Sequence, residues 1–87
     1  MSRIAIEQVE DGLHPSELVV TIRTADGKTE EVAVDRSLVD GQRMKAYAVG
    51  VERDRVLVEL PRETSSGSWR VWMPKASVFE AEKVATA

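Results

Sequence analysis

The sequence Glu-Leu-Val-Val-Thr-Ile-Arg-Thr-Ala-Asp-Gly-Lys-Thr-Glu-Glu-Val-Ala-Val-Asp, residues 17–35, carries the clearest structural signal in the chain. Both of its halves alternate apolar side chains with other types, which is typical of strands that bury one face. Between them stands Asp26-Gly27, a dipeptide typical of tight hairpin turns because glycine readily takes a positive φ. The stretch predicts an antiparallel hairpin with strands at 17–24 and 29–35. Its predicted core residues are Leu18, Val20, Ile22, Val32 and Val34.

Further short strands are predicted on both sides of this hairpin. Alternation places them at 3–9, 42–52, 55–60 and 69–73, and thirteen valines favour strands in general. Residues 79–84 suit a helix by composition and a strand by alternation, and we favour a closing strand. Together these segments predict an all-β fold, a small antiparallel barrel or strongly bent sheet of five to seven short strands.

Local signals refine the connections between the strands. Asp35 is placed to cap a single helical turn through residues 37–39, and Gly41 to end that turn. Gly50 predicts a bulge or bend in the long strand 42–52, whose residues Tyr47, Val49 and Val51 should share one face. A short 3₁₀ turn is predicted at 75–77.

The segment 68–74 contains both tryptophans of the chain. Alternation puts Trp69, Val71 and Met73 on one face and Arg70 and Trp72 on the other. The first face is the more apolar and is predicted to join the core. Trp72 then either covers a second small apolar cluster or lies in a surface patch with Arg70 that binds a partner, because tryptophan and arginine are enriched in binding hot spots.

The run Trp-Met-Pro-Lys-Ala-Ser-Val, residues 72–78, resembles the end of SH3-type barrels, in which an aromatic-aliphatic-proline run opens a 3₁₀ turn before the last strand. The resemblance implies a barrel shape. It departs from the family at Val71, where the family has glycine, and at Ser77, where it has the peptide-contacting tyrosine. The family's N-terminal Ala-Leu-Tyr-Asp-Tyr run has no counterpart here. The resemblance therefore does not extend to the binding of proline-rich peptides.

Length and composition predict one domain over residues 1–87, with a mobile polar loop at 61–67 and a frayed tail at 85–87. The chain has no cysteine, which excludes disulfides and thiolate metal sites. It also has no apolar run near the length of a membrane span and no signal-peptide pattern. A cytoplasmic protein without membrane association is the expectation.

No motif in the sequence indicates catalysis. His14 is the single histidine, and no closely spaced carboxylates accompany it as metal ligands. Ser65 and Ser66 lie in a polar loop and not in a strand-to-helix elbow, and the five glycines form no phosphate-binding nest. We expect no catalytic residue, no cofactor and no metal site, and hence no enzyme.

Charge is distributed unevenly along the chain. The formal net charge is −3, but residues 1–42 contain nine acidic and four basic residues, whereas residues 43–75 contain four acidic and seven basic ones. A folded sheet can mix the two halves into an ordinary surface. Alternatively the halves stay apart and form a surface of two signs, suited to head-to-tail or symmetric self-association.

These observations lead to two hypotheses of function, both centred on Arg70 and Trp72. The first is a protein-interaction module or small subunit that acts through a sheet edge or the Trp72/Arg70 surface, with a homodimer as one form. The second is a small nucleic-acid binder that uses Arg62, Arg70, Trp72 and Lys75, since an aromatic among cations can stack on a base. The acidic net charge favours the first hypothesis. The sequence does not specify the partner, the oligomeric state or the strand order.

Overall fold

The computed structural model describes residues 2–79, which form two antiparallel sheets. In chain order the strands are β1 (Ser2–Ala5), β2 (Gln8–Asp11), β3 (Glu17–Arg23), β4 (Thr29–Asp35), β5 (Val39–Asp40), β6 (Arg43–Glu52), β7 (Arg55–Glu59), β8 (Arg70–Pro74) and β9 (Val78–Phe79). Two 3₁₀ turns, η1 (Arg36–Leu38) and η2 (Lys75–Ser77), connect them. The larger sheet has the order β8-β7-β6-β1-β9 with β5 beside β6, and the smaller sheet has the order β2-β3-β4.

The predicted hairpin is confirmed as β3 and β4, paired from Glu17 opposite Asp35 to Arg23 opposite Thr29. Gly27 has φ +85°, the left-handed conformation for which glycine is suited. The turn is closed by the Thr24 N–H, which donates to the Lys28 carbonyl at 2.8 Å. All five predicted core side chains of this hairpin are buried: Leu18, Val20, Ile22, Val32 and Val34.

The first predicted strand, residues 3–9, is wrong as a single element because the chain changes sheets within it. The Ile6 N–H donates to the Gln42 carbonyl at 2.8 Å beside the larger sheet, whereas the Glu7 N–H donates to the Thr21 carbonyl of β3 at 2.7 Å. Arg23 stabilises the point where the chain changes sheets, because its Nε donates a hydrogen bond to Glu7 Oε2 at 2.6 Å. The same hydrogen bond lowers the pKa of the Glu7 carboxyl below its ordinary value.

One apolar core lies between the sheets. Buried side chains of the larger sheet, among them Ile4, Met44 and Met73, pack in a single cluster with Val20 and Ile22 of the smaller sheet. The two sheets therefore share their inner faces, and their outer faces point to opposite sides of the domain. The all-β prediction is confirmed. The barrel is not closed, however, so the SH3-like form of that prediction is not confirmed.

The predicted local signals are largely found. Asp35 Oδ1 accepts a hydrogen bond from the Ser37 N–H at 2.9 Å and so caps η1, and η2 forms at the predicted 3₁₀ turn. The first turn ends at Leu38 and not at Gly41, because the chain enters β5 at residue 39. Gly41, with φ +64°, instead belongs to the turn between β5 and β6.

The polar loop 61–67 makes several hydrogen bonds to β4. Thr64 is buried and forms an isolated bridge with Val32, and the Ser65 N–H donates to the Glu31 carbonyl at 2.8 Å. The Ser66 hydroxyl donates to Glu30 Oε1 at 2.7 Å. Polar groups thus attach a loop that has no apolar anchor, and its mobility stays a prediction.

The end of the chain is only partly covered. Val78 and Phe79 form β9, which pairs with β1. Phe79 is the one residue of the predicted closing strand 79–84 that the structure describes. The rest of that strand and the frayed tail 85–87 lie outside the described residues. Over residues 2–79, no helix has the length and apolar character required to span a membrane.

Candidate functional site

Of the two tryptophans, Trp69 lies in an environment opposite to the one predicted. Trp69, assigned to the core from its alternation with Val71 and Met73, is 52% exposed, whereas Val71 and Met73 are buried. The reason is that β8 begins only at Arg70 and Trp69 lies in the bend before it. Its carbonyl accepts the Leu60 N–H at 2.9 Å, and the buried Leu60 side chain contributes to the core beside it.

Trp72 is half-buried on the outer face of the larger sheet. It stands opposite Leu57 of β7, and Leu57 stands opposite Gly50 of β6. The Arg55 guanidinium lies over the indole, 4.3 Å from the ring centroid, as in a cation–π contact. Trp72 therefore belongs to a second, small apolar cluster and is also accessible from that side.

A bulge in β6 sets which apolar residues join this cluster. The register of β6 on β7 shifts between Ala48 and Gly50, as the glycine predicted, so Val49 is the extra residue. Tyr47, before the bulge, lies opposite the outer-face residue Glu59. Val51, after it, pairs with the buried Val56 and so lies on the other side of the sheet. The prediction that residues 47, 49 and 51 share a face is wrong for Val51 for this reason.

Four apolar residues at neighbouring positions on or beside this outer face form what we call the apolar strip: Tyr47, Val49, Leu57 and Trp72. Tyr47 is 55% exposed and Val49 is 45% exposed, and the other two are half-buried. Contiguous apolar residues that are both exposed and rimmed by charges are typical of contact surfaces.

Two ion pairs border the apolar strip. On one side Arg70 Nη2 lies 3.6 Å from Glu59 Oε1. On the other side Arg55 Nε donates to Glu52 Oε1 at 2.9 Å while its guanidinium covers Trp72. The arrangement has an apolar centre and a polar rim, which is the usual anatomy of a protein–protein interface.

The residues proposed from the sequence are not all brought together. Arg70 and Trp72 are on the same outer face, as alternation predicted. Arg62 instead donates from Nη1 to Glu17 Oε2 of the smaller sheet at 3.1 Å. Lys75 begins η2 beyond the end of β8, and its N–H donates to the Asp54 carbonyl at 2.9 Å.

Sequence reasoning missed the cations that accompany the aromatic rings on this face. Arg55 reaches Trp72 because their strands are neighbours, although 17 positions separate them in sequence. Arg43 likewise lies over the Phe79 ring, 3.7 Å from its centroid. Both contacts depend on strand order and register, which alternation alone does not supply.

His14 is exposed and lines a shallow cleft of about 290 Å³ with Glu17, Asp35 and Arg62. Asp35 and Glu17 in this cleft are already engaged, by the cap of η1 and by Arg62. Across residues 2–79, no three His, Asp or Glu side chains are grouped so as to hold a metal ion. The outer face of the larger sheet is therefore the best-developed candidate site in the described part of the chain.

No protein-family model, curated protein or solved structure matches this chain.

Proposed function

We propose that this protein is a small interaction domain that binds a protein partner through the outer face of its larger sheet. The observation that carries the proposal is the apolar strip: four apolar side chains at neighbouring positions, two of them about half exposed, between two ion pairs. A domain of this size has a single small core, and apolar residues that do not contribute to it would normally be replaced by polar ones. The retention of the apolar strip is understandable if a partner covers it.

The face is a better contact surface than the edges formed by β8 and β4. At the β8 edge the Trp72 carbonyl is already occupied by the Ala25 N–H at 2.7 Å, and Pro74 has no N–H to donate. At the β4 edge Val32 is bridged to Thr64 of the polar loop. Edges that are occupied, or interrupted by proline, are poor templates for strand addition.

A photo-cross-linking residue in place of Tyr47 tests this proposal in the cells that produce the protein. Tyr47 is preferred to Trp72 because it is more exposed, so its replacement disturbs the fold less. A matched control carries the same cross-linker in place of Leu13, which is also apolar and is 94% exposed but lies alone in a loop.

The expected result is one or a few discrete protein adducts from position 47 and none of these from position 13. With the partner identified, Tyr47→Ala should weaken its binding at least tenfold, whereas Leu13→Ala should not, because central interface aromatics contribute about 2 kcal/mol or more. Identical adducts from both positions, or no adduct from position 47, would refute the proposal.

A nucleic-acid binder remains the second candidate, favoured by the two guanidinium–aromatic stacks on the same outer face, Arg55 with Trp72 and Arg43 with Phe79. Bases stack on such rings while cations neutralise phosphates. Anisotropy of labelled single-stranded and double-stranded oligonucleotides at low salt tests it. Binding should weaken steeply with salt. It should also weaken with Lys45→Ala, because Lys45 alternates with the buried Met44 and Ala46 and so lies on this outer face. If no binding occurs at low salt, this candidate is removed.

Three further expectations from the sequence continue as proposals. An SH3-like arrangement is supported by η2, which stands between β8 and β9 as in the family's pattern. Cytoplasmic location and the absence of enzymatic activity rest on the sequence alone.

A further inference from the structure

The two sheets have opposite charge. The strands of the smaller sheet, β2 to β4, contain six carboxylates and one cation. The strands of the larger sheet within residues 2–79 contain five cations and three carboxylates. Most carboxylates of the acidic half thus fold into the smaller sheet and most cations of the basic half into the larger one, although Arg62 of the basic half pairs with Glu17 of the smaller sheet.

The acidic outer face of the smaller sheet has a small apolar centre. Val19 of β3 lies between Glu10 of β2 and Ala33 of β4, and Val19 and Ala33 are half-buried. Glu31 lies one row away, opposite Thr21 on the same outer face. Within residues 2–79, neither Glu10 nor Glu31 takes part in an ion pair or a side-chain hydrogen bond.

The basic outer face of the larger sheet has two cations, Arg43 and Lys45, that form no ion pair within residues 2–79. Lys45 alternates with the buried Met44 and Ala46, so it lies on the outer face next to Tyr47 of the apolar strip. Each outer face therefore has an apolar centre bordered by charges of one sign that lack a partner within residues 2–79.

We propose that the occupant of the larger sheet's outer face is a second copy of this chain, docked by the acidic outer face of its smaller sheet. This inference rests on the proposed function and names its partner. Unpaired carboxylates of one copy meet unpaired cations of the next, and Val19 and Ala33 meet the apolar strip. The contact is head to tail, because the two faces are different surfaces on opposite sides of the domain. Each added copy leaves one face of each kind open, so copies assemble into short chains or a closed ring.

Sedimentation velocity of the full chain tests this at increasing protein concentration. The average mass should rise above the 9.6 kDa of one chain. It should fall back toward that value when salt is added, because charges between exposed faces are screened over about 10 Å at 0.1 M salt. A symmetric contact between two apolar strips would respond little to salt.

Two charge-reversal variants make the test specific. Lys45→Glu removes the basic face and keeps the acidic one, whereas Glu31→Lys does the reverse. Each variant alone should be monomeric. Their equimolar mixture should associate again, because the intact acidic face of the Lys45→Glu variant meets the intact basic face of the Glu31→Lys variant, and the two reversed faces are also complementary in charge. Circular dichroism of each variant confirms that it is folded.

Three results would overturn the head-to-tail assembly: a wild type that stays monomeric at low salt, a Glu31→Lys variant that associates like the wild type, or a mixture that does not associate. The proposed function fails separately. If the wild type is monomeric while the cross-linker at position 47 captures a different protein, the second copy is refuted and the interaction face is retained. If position 47 captures nothing, both are refuted.

Discussion

Replacing Trp72 by alanine should destabilise this protein far more than replacing Trp69. Trp72 is half-buried against Leu57 and beneath the Arg55 guanidinium, whereas Trp69 is 52% exposed in a bend. Alternation along the sequence predicts the opposite order. The comparison therefore tests the register of β8 directly.

The magnitude follows from the buried area. A tryptophan side chain removes about 150–250 Å² from water when it is packed, and apolar burial contributes about 25 cal/mol per Å². Partial exposure and a compact denatured state reduce the resulting 4–6 kcal/mol by about half. The expected loss for Trp72→Ala is about 2–3 kcal/mol, and for Trp69→Ala, whose surface is 52% exposed, it is about 1 kcal/mol.

The assay is urea unfolding followed by far-ultraviolet circular dichroism, because tryptophan fluorescence would change with the substitution itself. In thermal unfolding followed by the same signal, a domain of this size should lose about 10–20 °C in Tm with Trp72→Ala. A double-mutant cycle with Arg55→Met should add a coupling of about 0.5–1 kcal/mol from the cation–π contact. Equal destabilisation by the two alanine variants, or a greater effect of Trp69→Ala, would contradict the placement of both rings.

Three further predictions concern the backbone, pH and the polar loop. Gly27→Ala should cost about 1 kcal/mol in chemical unfolding because φ is +85° there, although no atom obstructs the new Cβ; Gly50→Ala, whose Cβ would contact Leu57 at 3.5 Å, should change stability by less than about 0.5 kcal/mol. The hydrogen bond from a backbone N–H lowers the pKa of Asp35, so its stabilisation is present above its unfolded pKa, near 4, and is lost as the pH falls through the lower folded value. Asp35→Asn keeps a capping oxygen without titrating, so the difference in unfolding midpoint between wild type and variant should vary with pH only in that acidic range. Thr64→Val, which removes a buried hydroxyl that accepts a backbone N–H at 3.1 Å, should raise amide hydrogen exchange in the polar loop while exchange in β6 stays unchanged.

The local elements of this fold follow from its sequence because their causes are local. Asp26-Gly27 determines where the hairpin turns, and the alternation beside it determines which side chains enter the core. The cap at Asp35 and the bulge at Gly50 likewise depend on residues a few positions apart. Strand order is different, since nothing in a single strand specifies its neighbour.

The errors in prediction arise where the phase of alternation changes. A strict period of two carries Trp69 into the core and Val51 onto the outer face. The structure interrupts that period at the bend before β8 and at the extra residue Val49. The bulge moves the side chains that follow it to the opposite face, because the period of a strand is two. The bend only leaves Trp69 outside β8, since Val71 and Met73 are buried as predicted. Gly50 predicted the bulge in β6 but did not indicate that Val49 is the extra residue.

Net charge is a poor guide to the contacts of this domain, and the reason lies in its topology. The total of −3 argued against partners that need a basic surface. Because β2 to β4 contain most of the carboxylates, however, the opposite face has an excess of cations that the total hides. Charge acts over about a Debye length, so a partner at the larger sheet responds to Lys45, Arg43 and Arg70 before it responds to Glu31 on the far side. The segregation, rather than the sum, is therefore the property on which the proposed head-to-tail contact depends.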